Sequence, residues 1–250
     1  MKRTFVIALM AATALLAQGP RGGRMGFGGP GFGPEGAGAL LHGATVTGAP
    51  FSAVVVTTHQ QTLADGNVIQ QQEQTNLSRD GQGRIREETT MTAAEGQASP
   101  TVVTISDPVA KVVRRLNPQN KTASEMAMPQ HPAGGARAHA AGGGRPHRDS
   151  ANVVKEDLGA QTVNGLAATG TRVTRTIPAG AIGNEQPIQI VRETWVSTDL
   201  KVPVTIKTTD PRFGTTVTQL NNITRAEPDA ALFQTPAGYT VSQGHAFGPR

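Results

Sequence analysis

The sequence contains no cysteine among its 250 residues. This absence excludes a disulfide framework, thiol catalysis and cysteine-ligated metal sites. It also excludes a bacterial lipid anchor attached to a cysteine after the N-terminal apolar segment. The stability of the fold therefore has to come from apolar burial and backbone hydrogen bonds, and a chain of this length is long enough to supply both.

Aromatic residues are scarce, with one Trp, one Tyr and seven Phe, and the basic residues are scattered singly along the chain. A nucleic-acid interface usually combines a stripe of Lys and Arg with interleaved aromatic side chains. The formal net charge of +5 falls to +3 once Lys2 and Arg3 are removed with a leader peptide. We therefore expect no nucleic-acid partner, and only a mild attraction to anionic envelope surfaces.

Long apolar runs are confined to the N-terminus, where FVIALMAATALLA at positions 5–17 follows Lys2 and Arg3. A short basic segment, an apolar stretch and a small-residue exit are typical of a secretory signal peptide. The run is shorter than the ~20 residues that a membrane-spanning helix needs. We predict cleavage after Ala14 or Ala17, export to the periplasm or the exterior, and a mature chain that is not an integral membrane protein.

Glycine and proline divide the rest of the chain. Residues 18–44 are too poor in apolar side chains to fold alone, and they are predicted to form a disordered tether. The stretch PQHPAGGARAHAAGGGRPHRDS at 129–150 is predicted to be a disordered loop. We predict one domain at 45–243, interrupted by this loop, and a flexible tail at 244–250.

Two motifs inside these biased stretches suggest cofactors only superficially. GFGGPG at 26–31 matches a dinucleotide-binding glycine pattern, but no strand precedes it and no helix follows it. His131, His139 and His147 recur every eight residues, yet their glycine-rich flanks oppose the rigid scaffold that a metal site needs. No cofactor and no metal site are predicted.

The remaining sequence alternates β-favouring runs with turn signals. Val- and Thr-rich runs are separated by glycine-containing turns, Asp-Pro and Asn-Pro, which is typical of antiparallel hairpins. Val202, Val204 and Ile206 alternate with polar residues and predict a half-buried strand. Helical signals are limited to one turn at 228–233 and a weak segment at 37–43. The pattern predicts an all-β fold, a curved antiparallel sheet or half-barrel of about ten strands.

The stretch Asp80-Gly81-Gln82-Gly83 could be a ligand loop or a bend between strands. A calcium loop would need further oxygen ligands at alternate positions and a closing Glu, whereas Gln82 and Arg84 occupy such positions. The two glycines stand between β-compatible runs, where a turn requires positive φ. The stretch is therefore predicted to be a hairpin bend.

Common catalytic motifs such as G-x-S-x-G, H-E-x-x-H and S-x-x-K are missing from the sequence. Glu87 and Glu88 are neighbours in a predicted strand, so their side chains point to opposite faces and cannot act as a pair. Glu193 is expected to be a cross-strand ion-pair partner, and Asp107 and Asp210, each followed by Pro, are expected to form turns. We predict that the protein is not an enzyme and assign no catalytic residue.

Two segments carry a resemblance to a known group. They are TVVTISDPVAKVVRRLNPQNKTASEMAMP at 101–129 and VTQLNNITRAEPDAALFQTPAGYTV at 217–241. Their order of strands and turns resembles that of the lipoprotein-localisation-factor-like proteins (LolA-like, including RseB-like stress sensors). The resemblance implies an antiparallel half-barrel whose concave apolar face binds lipid-like or peptide ligands, with Phe233 docked on the sheet. That group places a long helix before the first strand, where this chain is rich in glycine and proline.

These observations predict an exported, non-catalytic binding or carrier module of the cell envelope, with a lipid-like or amphipathic ligand on the apolar sheet face. The alternatives are an envelope-stress regulatory module that binds a membrane protein, and a structural protein that assembles through its sheet edges. The candidate groove residues are apolar residues of the predicted strands, which in a closed fold would be ordinary core: Val55, Ile69, Met91, Ile105, Val112, Met126, Val191, Trp195, Val204 and Ile206.

Overall fold

The computed structural model describes residues 40, 45–90, 99–128 and 152–244. They contain twelve strands and one short 3-10 helix, Ala230–Phe233, between the last two strands. The strands are β1 (Phe51–Thr62), β2 (Val68–Arg79), β3 (Ile85–Thr90), β4 (Thr101–Asp107), β5 (Val112–Asn117), β6 (Thr122–Ala127), β7 (Val153–Val163), β8 (Leu166–Ile177), β9 (Ile188–Ser197), β10 (Pro203–Asp210), β11 (Gly214–Thr224) and β12 (Thr240–Gln243).

All twelve strands belong to one sheet with the order β12-β6-β5-β4-β3-β2-β1-β11-β10-β9-β8-β7. Every neighbouring pair is antiparallel except β12 and β6, which are parallel. The prediction of a mainly antiparallel all-β fold with very little helix is confirmed, and the sheet is not closed into a barrel. No helix in the described ranges is long and apolar enough to cross a membrane.

Two strands are absent from the sequence-based prediction, and both lie at an edge of the sheet. β7 contains Lys155, Glu156, Asp157 and Gly159, and most of its side chains are exposed. β12 has four residues, all exposed. Because neither strand buries one face, neither shows the alternation of apolar and polar residues that marks a half-buried strand. These two strands form through main-chain hydrogen bonds, β7 to β8 and β12 to β6.

The bend at 80–84 confirms the hairpin interpretation. The Asp80 carbonyl accepts the Gly83 N–H at 3.0 Å, and its carboxylate accepts the N–H groups of Gln82 and Arg84 at 3.0 and 2.8 Å. Gly83 has φ of 81°, as the turn requires. The prediction of positive φ at Gly81 is wrong, since only Gly83 of this pair adopts it. Gly81 instead donates its N–H to the Glu227 carboxylate at 3.0 Å.

Replacing Gly83 with alanine is expected to destabilise the fold more than the same change at Gly66. Both glycines have positive φ, 81° and 84°. A Cβ at Gly83 would lie 2.7 Å from Thr45 Cγ2 and 2.9 Å from the Val46 carbonyl oxygen, whereas nothing lies within 4 Å at Gly66. We expect a loss of about 1 kcal/mol at Gly66 from backbone strain, and about 2–3 kcal/mol at Gly83 from strain plus the clash.

Urea unfolding of both variants measures this difference. Gly66→Ala is the matched control, because it shares the backbone conformation and lacks the neighbours. Equal losses would show that the segment at 45–47 moves away freely and does not pack against the bend.

The strand register assigns each side chain to one of two faces, because directly paired residues point to the same side of a sheet. Face A is the side of Phe51, Val55 and Leu77, and face B is the side of Val103 and Ile105. The buried apolar residues form two clusters, one built mainly from face A side chains of β1, β2, β10 and β11 and the other from face B side chains of β4 to β6. Cluster A contains Leu40, Phe51, Ala53, Val55, Leu77, Leu166, Ala168, Leu200, Val202, Val204, Ile206 and Leu220. Cluster B contains Val103, Ile105, Leu116, Ala123 and Phe233.

Cluster B explains the position of the short helix. Phe233 is only 1% exposed and packs within the cluster, with the Arg84 guanidinium over its ring at 5.1 Å. Asp229 caps the helix by accepting the Ala231 N–H at 2.9 Å. The docking of Phe233 on the sheet, implied by the resemblance, is confirmed, and the predicted helical turn at 228–233 is confirmed over Ala230–Phe233.

Candidate functional site

The ten candidate groove residues do not share one face. Val55, Val204 and Ile206 are buried on face A, Met126 is half-buried on face A, and Ile69 is exposed there. Ile105, Val112, Val191 and Trp195 lie on face B. Met91 lies outside the described residues. The full set therefore cannot line a single groove; Val55, Val204 and Ile206 belong to cluster A, and Trp195 packs against that cluster.

Arg79 secures cluster A where β2 ends. Its guanidinium is buried and donates to the Ala49 carbonyl at 2.7 Å and to the Leu200 carbonyl at 2.6 Å. It also lies over the Phe51 ring at 4.9 Å. Burial lowers the pKa of the Arg79 guanidinium. The Arg79 side chain thus joins the end of β2 to the segment before β1 and to the β9–β10 turn. We call the packed cluster A residues at this end of face A the floor.

Face A changes character along β1, from apolar residues to hydroxyl groups. Val55 belongs to cluster A, and two residues further on Thr57 hydrogen-bonds Thr218 through the Oγ1 atoms at 3.1 Å. His59 follows, with Nδ1 at 3.0 Å from Thr216 Oγ1. Thr216 and Thr218 are buried, 8% and 3% exposed. Successive residues on one face are about 6.5–7 Å apart, so the hydroxyl row borders the apolar floor directly.

Basic side chains lie beyond and beside the hydroxyl row. Thr208, opposite Thr216 in the sheet, pairs with Arg192, which in turn lies opposite Val173. Lys155 on β7 continues the same row, and Arg175 occupies the next row of β8. Neighbouring strands are about 4.8 Å apart, so the Cα atoms of Lys155, Arg175 and Arg192 lie within about 10 Å of one another. We call these three residues the basic rim.

Four carboxylates of the described strands lie on face A with the basic rim: Glu73, Glu87, Asp157 and Asp210. Asp157 lies in the row toward the floor, opposite Thr171. Asp210 accepts from Arg212 at 2.6 Å. Burial acts to raise the pKa of Asp210, and the hydrogen bonds from Arg212 outweigh it, so the pKa lies below its ordinary value. Asp210 and Arg212 thus neutralise each other, and Arg175 and Arg192 of the basic rim also have interaction partners.

Face B of the same strands carries a ladder of alternating charge. Arg172 bonds Glu193 at 2.8 Å and Glu156 at 2.9 Å, and Lys207 lies opposite Glu193. The hydrogen bonds to Glu193 and then to Glu156 raise the pKa of Arg172. The expected role of Glu193 as a cross-strand ion-pair partner is confirmed. Asp107 likewise forms a turn, accepting the N–H groups of Val109 and Ala110 at 3.0 and 2.8 Å.

Trp195 lies on face B, on the same strand face as Val191, and packs against cluster A. Its ring covers Gly170, where a Cβ would lie 2.6 Å from Trp195 Cη2. Only glycine allows the ring to lie this close to the backbone of β8. The Trp195 ring thus fills the space above Gly170 on face B, and the side chain is half-buried.

Within the described ranges, no three His, Asp or Glu side chains come together in a group that could hold a metal ion. His59, the histidine nearest the basic rim in the register, is engaged with Thr216. His131, His139 and His147 lie outside the described residues. The described face A therefore presents apolar side chains, a row of hydroxyl groups and, next to them, a group of three basic side chains.

No protein-family model matches the sequence, and no curated protein matches it. Among solved structures, a chain of the MucA/MucB complex of Pseudomonas aeruginosa is similar with 14% identity and a TM-score of 0.40, over 75% of this chain and 56% of that chain. This chain thus spans little more than half of that one. A conserved protein of Thermus thermophilus has 11% identity and a TM-score of 0.41, over 79% and 91% of the two chains.

A LolA superfamily protein of Nitrosomonas europaea is also similar, with 6% identity and a TM-score of 0.32, over 76% of this chain and 91% of that chain. The similar structures thus include a member of the LolA superfamily, the group that the two sequence segments resemble. At these identities and TM-scores, no ligand and no partner is transferred to this protein.

Proposed function

We propose that the protein is an exported, non-catalytic binding module of the cell envelope that holds an anionic amphiphile on face A. The apolar part of the ligand lies on the half-buried side chains beside cluster A, such as Val173, and its anionic head lies at the basic rim. The observation that carries this proposal is the order of side chains along one face: Val55 in the floor, Thr57 and Thr218 in the hydroxyl row, then Lys155 and Arg192 at the rim.

Each part of that order suits one part of such a ligand. Burying a methylene group contributes about 0.8 kcal/mol; Val55, Val204 and Ile206 are at most 5% exposed, so half-buried side chains beside the floor, such as Val173, supply the apolar surface that a ligand can reach. Threonine hydroxyls both donate and accept hydrogen bonds, which suits ester or linkage oxygens. Arg and Lys bind carboxylates and phosphates through charge-assisted hydrogen bonds. From Val55 to His59 the strand rises roughly 13 Å, which separates the apolar and anionic parts of the ligand.

The alternative is a regulatory module that binds an envelope protein, and the exposed edge strand β7 favours it. An edge strand can accept an extended peptide through its outward main-chain groups, and the same edge could join copies of the chain. However, Lys155, Glu156 and Asp157 and the register shift at Gly159 are features that oppose strand addition. The side-chain order on face A therefore makes ligand binding the preferred function.

Dodecyl phosphate is expected to bind the protein more tightly than dodecyl maltoside, as measured by calorimetry below their micelle concentrations. Lys155→Gln combined with Arg192→Gln should weaken the binding of dodecyl phosphate roughly tenfold to thirtyfold, since each of the two surface charges contributes up to about 1 kcal/mol. The double variant should bind dodecyl maltoside with the same affinity as the parent protein does. Trp195 lies on face B, so its fluorescence is not expected to change when a ligand binds face A. Native mass spectrometry is used instead, because it detects the bound ligand directly.

Lys207→Gln is the matched control, because Lys207 is exposed on face B of β10. It removes one positive charge without touching face A. An equal loss in the control would assign the effect to net charge. Equal binding of the two amphiphiles, or no binding of either, would contradict the proposal.

A further inference from the structure

The two edges of the sheet differ in how well they are protected against pairing with another strand. β7 carries charged side chains of both signs and the register shift at Gly159, which oppose strand addition. β12 has no charged residue and no proline, and its register with β6 is regular. Among the described residues, no strand lies beyond β12. β12 is therefore the edge at which a further strand can be added.

The main-chain groups of β12 point alternately toward β6 and away from it. Thr240 and Gly244 donate their N–H groups to carbonyl oxygens just before and within β6, at 2.9 and 2.7 Å. Since the direction of the main-chain groups alternates along a strand, the N–H and C=O groups of Val241 and Gln243 point away from β6. These groups form an open hydrogen-bonding edge.

A row of apolar side chains on face B ends at the same edge. Val103, Leu116 and Ala123 are paired in register across β4, β5 and β6, and each is at most 3% exposed. Val241 lies opposite Ala123 and continues the row, but it is 52% exposed. A strand added beside β12 would cover Val241 and extend cluster B, because directly paired residues point to the same side of a sheet.

A second copy of β12 fits this edge in an antiparallel arrangement centred on Val241. The Val241 residues of the two copies then lie opposite each other and exchange both of their outward N–H···O bonds as a hydrogen-bonded pair. Their side chains meet on face B, while Thr240 of each copy lies opposite Ser242 of the other on face A. The arrangement has two-fold symmetry, so it closes after two copies.

Ordering entropy favours a second copy over a free peptide as the occupant of this edge. A flexible peptide loses backbone freedom at every residue that it adds to a sheet, and the net gain from each hydrogen bond is no larger than that loss. Only Val241 and Gln243 offer outward groups, which is too few for a free peptide. In a second copy, β12 is already held by β6, so the strand needs no further ordering.

We propose that the chain forms a transient two-fold dimer by antiparallel pairing of β12 with β12 of a second copy. The pairing joins the two sheets edge to edge and keeps face A of both copies on the same side, because the symmetry axis is perpendicular to the sheet. The strand is short and buries less surface than a permanent dimer does, so we expect a Kd on the order of 100 μM. The dimer does not depend on a ligand on face A.

Sedimentation velocity of the full chain tests the dimer. The weight-average sedimentation coefficient should rise from near the monomer value toward the dimer value between about 10 μM and about 1 mM. Val241→Lys should weaken dimerisation about tenfold or more, because it places like charges directly opposite each other. Val109→Lys is the matched control, since Val109 is exposed on the β4–β5 turn, and this variant should dimerise as the parent chain does.

Single-cysteine cross-linking tests the register, because the chain has no cysteine of its own. The Cα atoms of a hydrogen-bonded pair are about 5.5 Å apart, a distance that a disulfide can span. Val241→Cys should therefore form a disulfide-linked dimer on mild oxidation. Ser242→Cys should do so much more slowly, because its counterpart lies on the diagonal, about 7–8 Å away.

Four results would overturn the dimer: a monomer throughout the concentration range, equal effects of Val241→Lys and Val109→Lys, equal cross-linking at positions 241 and 242, or assemblies larger than a dimer. The last result would mean that β12 pairs with β7 of another copy, which does not close. Urea unfolding of Val241→Lys should match that of the parent chain, which separates lost association from lost folding. If it does not, the cross-linking result decides.

Discussion

Replacing Arg79 with methionine is expected to lower the free energy of unfolding by about 3–5 kcal/mol, because two carbonyl groups lose the donor that they share. Arg79 is 1% exposed, and its hydrogen bonds go to two carbonyls on other segments, those of Ala49 and Leu200. Methionine retains much of the length but no donor. Each carbonyl left buried without a donor costs about 1–3 kcal/mol, and the contact with the Phe51 ring contributes about 1 kcal/mol more.

Arg225→Met is the matched control, because Arg225 forms an exposed pair with Asp199 at 2.6 Å. An exposed ion pair contributes about 0–1 kcal/mol, so the control should stay close to the parent in urea unfolding. Arg79→Lys should recover only part of the loss, since one ammonium group cannot reproduce the planar fork of donors. Parent-like stability of Arg79→Met would contradict the role of Arg79 as the tie between β2 and its two neighbours.

Replacing Phe233 with alanine should cost about 3–5 kcal/mol, the usual range for a buried Phe. Phe233 is 1% exposed in cluster B, whereas the adjacent Leu232 is 37% exposed. Leu232→Ala is therefore the control, with an expected loss below about 1 kcal/mol in the same urea titration. Phe233→Leu should recover more than half of the loss, because it refills most of the cavity. Equal effects at positions 232 and 233 would mean that the helix does not depend on cluster B.

The two predictions concern the two faces of one sheet, and this division matters for function. A single-layer sheet must cover an apolar surface on each side. On face B, Phe233 supplies the cover from the C-terminal segment, with Tyr239 packed against the same cluster. On face A, the floor is packed around Leu200 and Val202, and the hydroxyl row and the basic rim extend from it. Face A is therefore where a ligand is proposed.

The alternation of apolar and polar residues and the turn dipeptides were sufficient to predict most strands and the bend at 80–83. These signals are local: a half-buried strand such as β10 shows Val204 and Ile206 with a period of two, and a turn needs glycine, proline or Asp within a few residues. Phe233 could be identified through the resemblance of the C-terminal segment. The export signal, the tether and the loop at 129–150 stay predictions, because they lie outside the described residues.

The assignment of residues to faces required the tertiary structure. Alternation along one strand places Val204 and Thr205 on opposite faces of β10. It does not say which side of β9 or β4 belongs to the same face as the apolar side of β1. The strand order and register decide this, and they separate Val55 from Trp195 and Ile105. Lys155, Arg175 and Arg192, scattered in sequence, come together for the same reason. Cross-strand pairing depends on long-range hydrogen bonds, which leave no local pattern in the sequence.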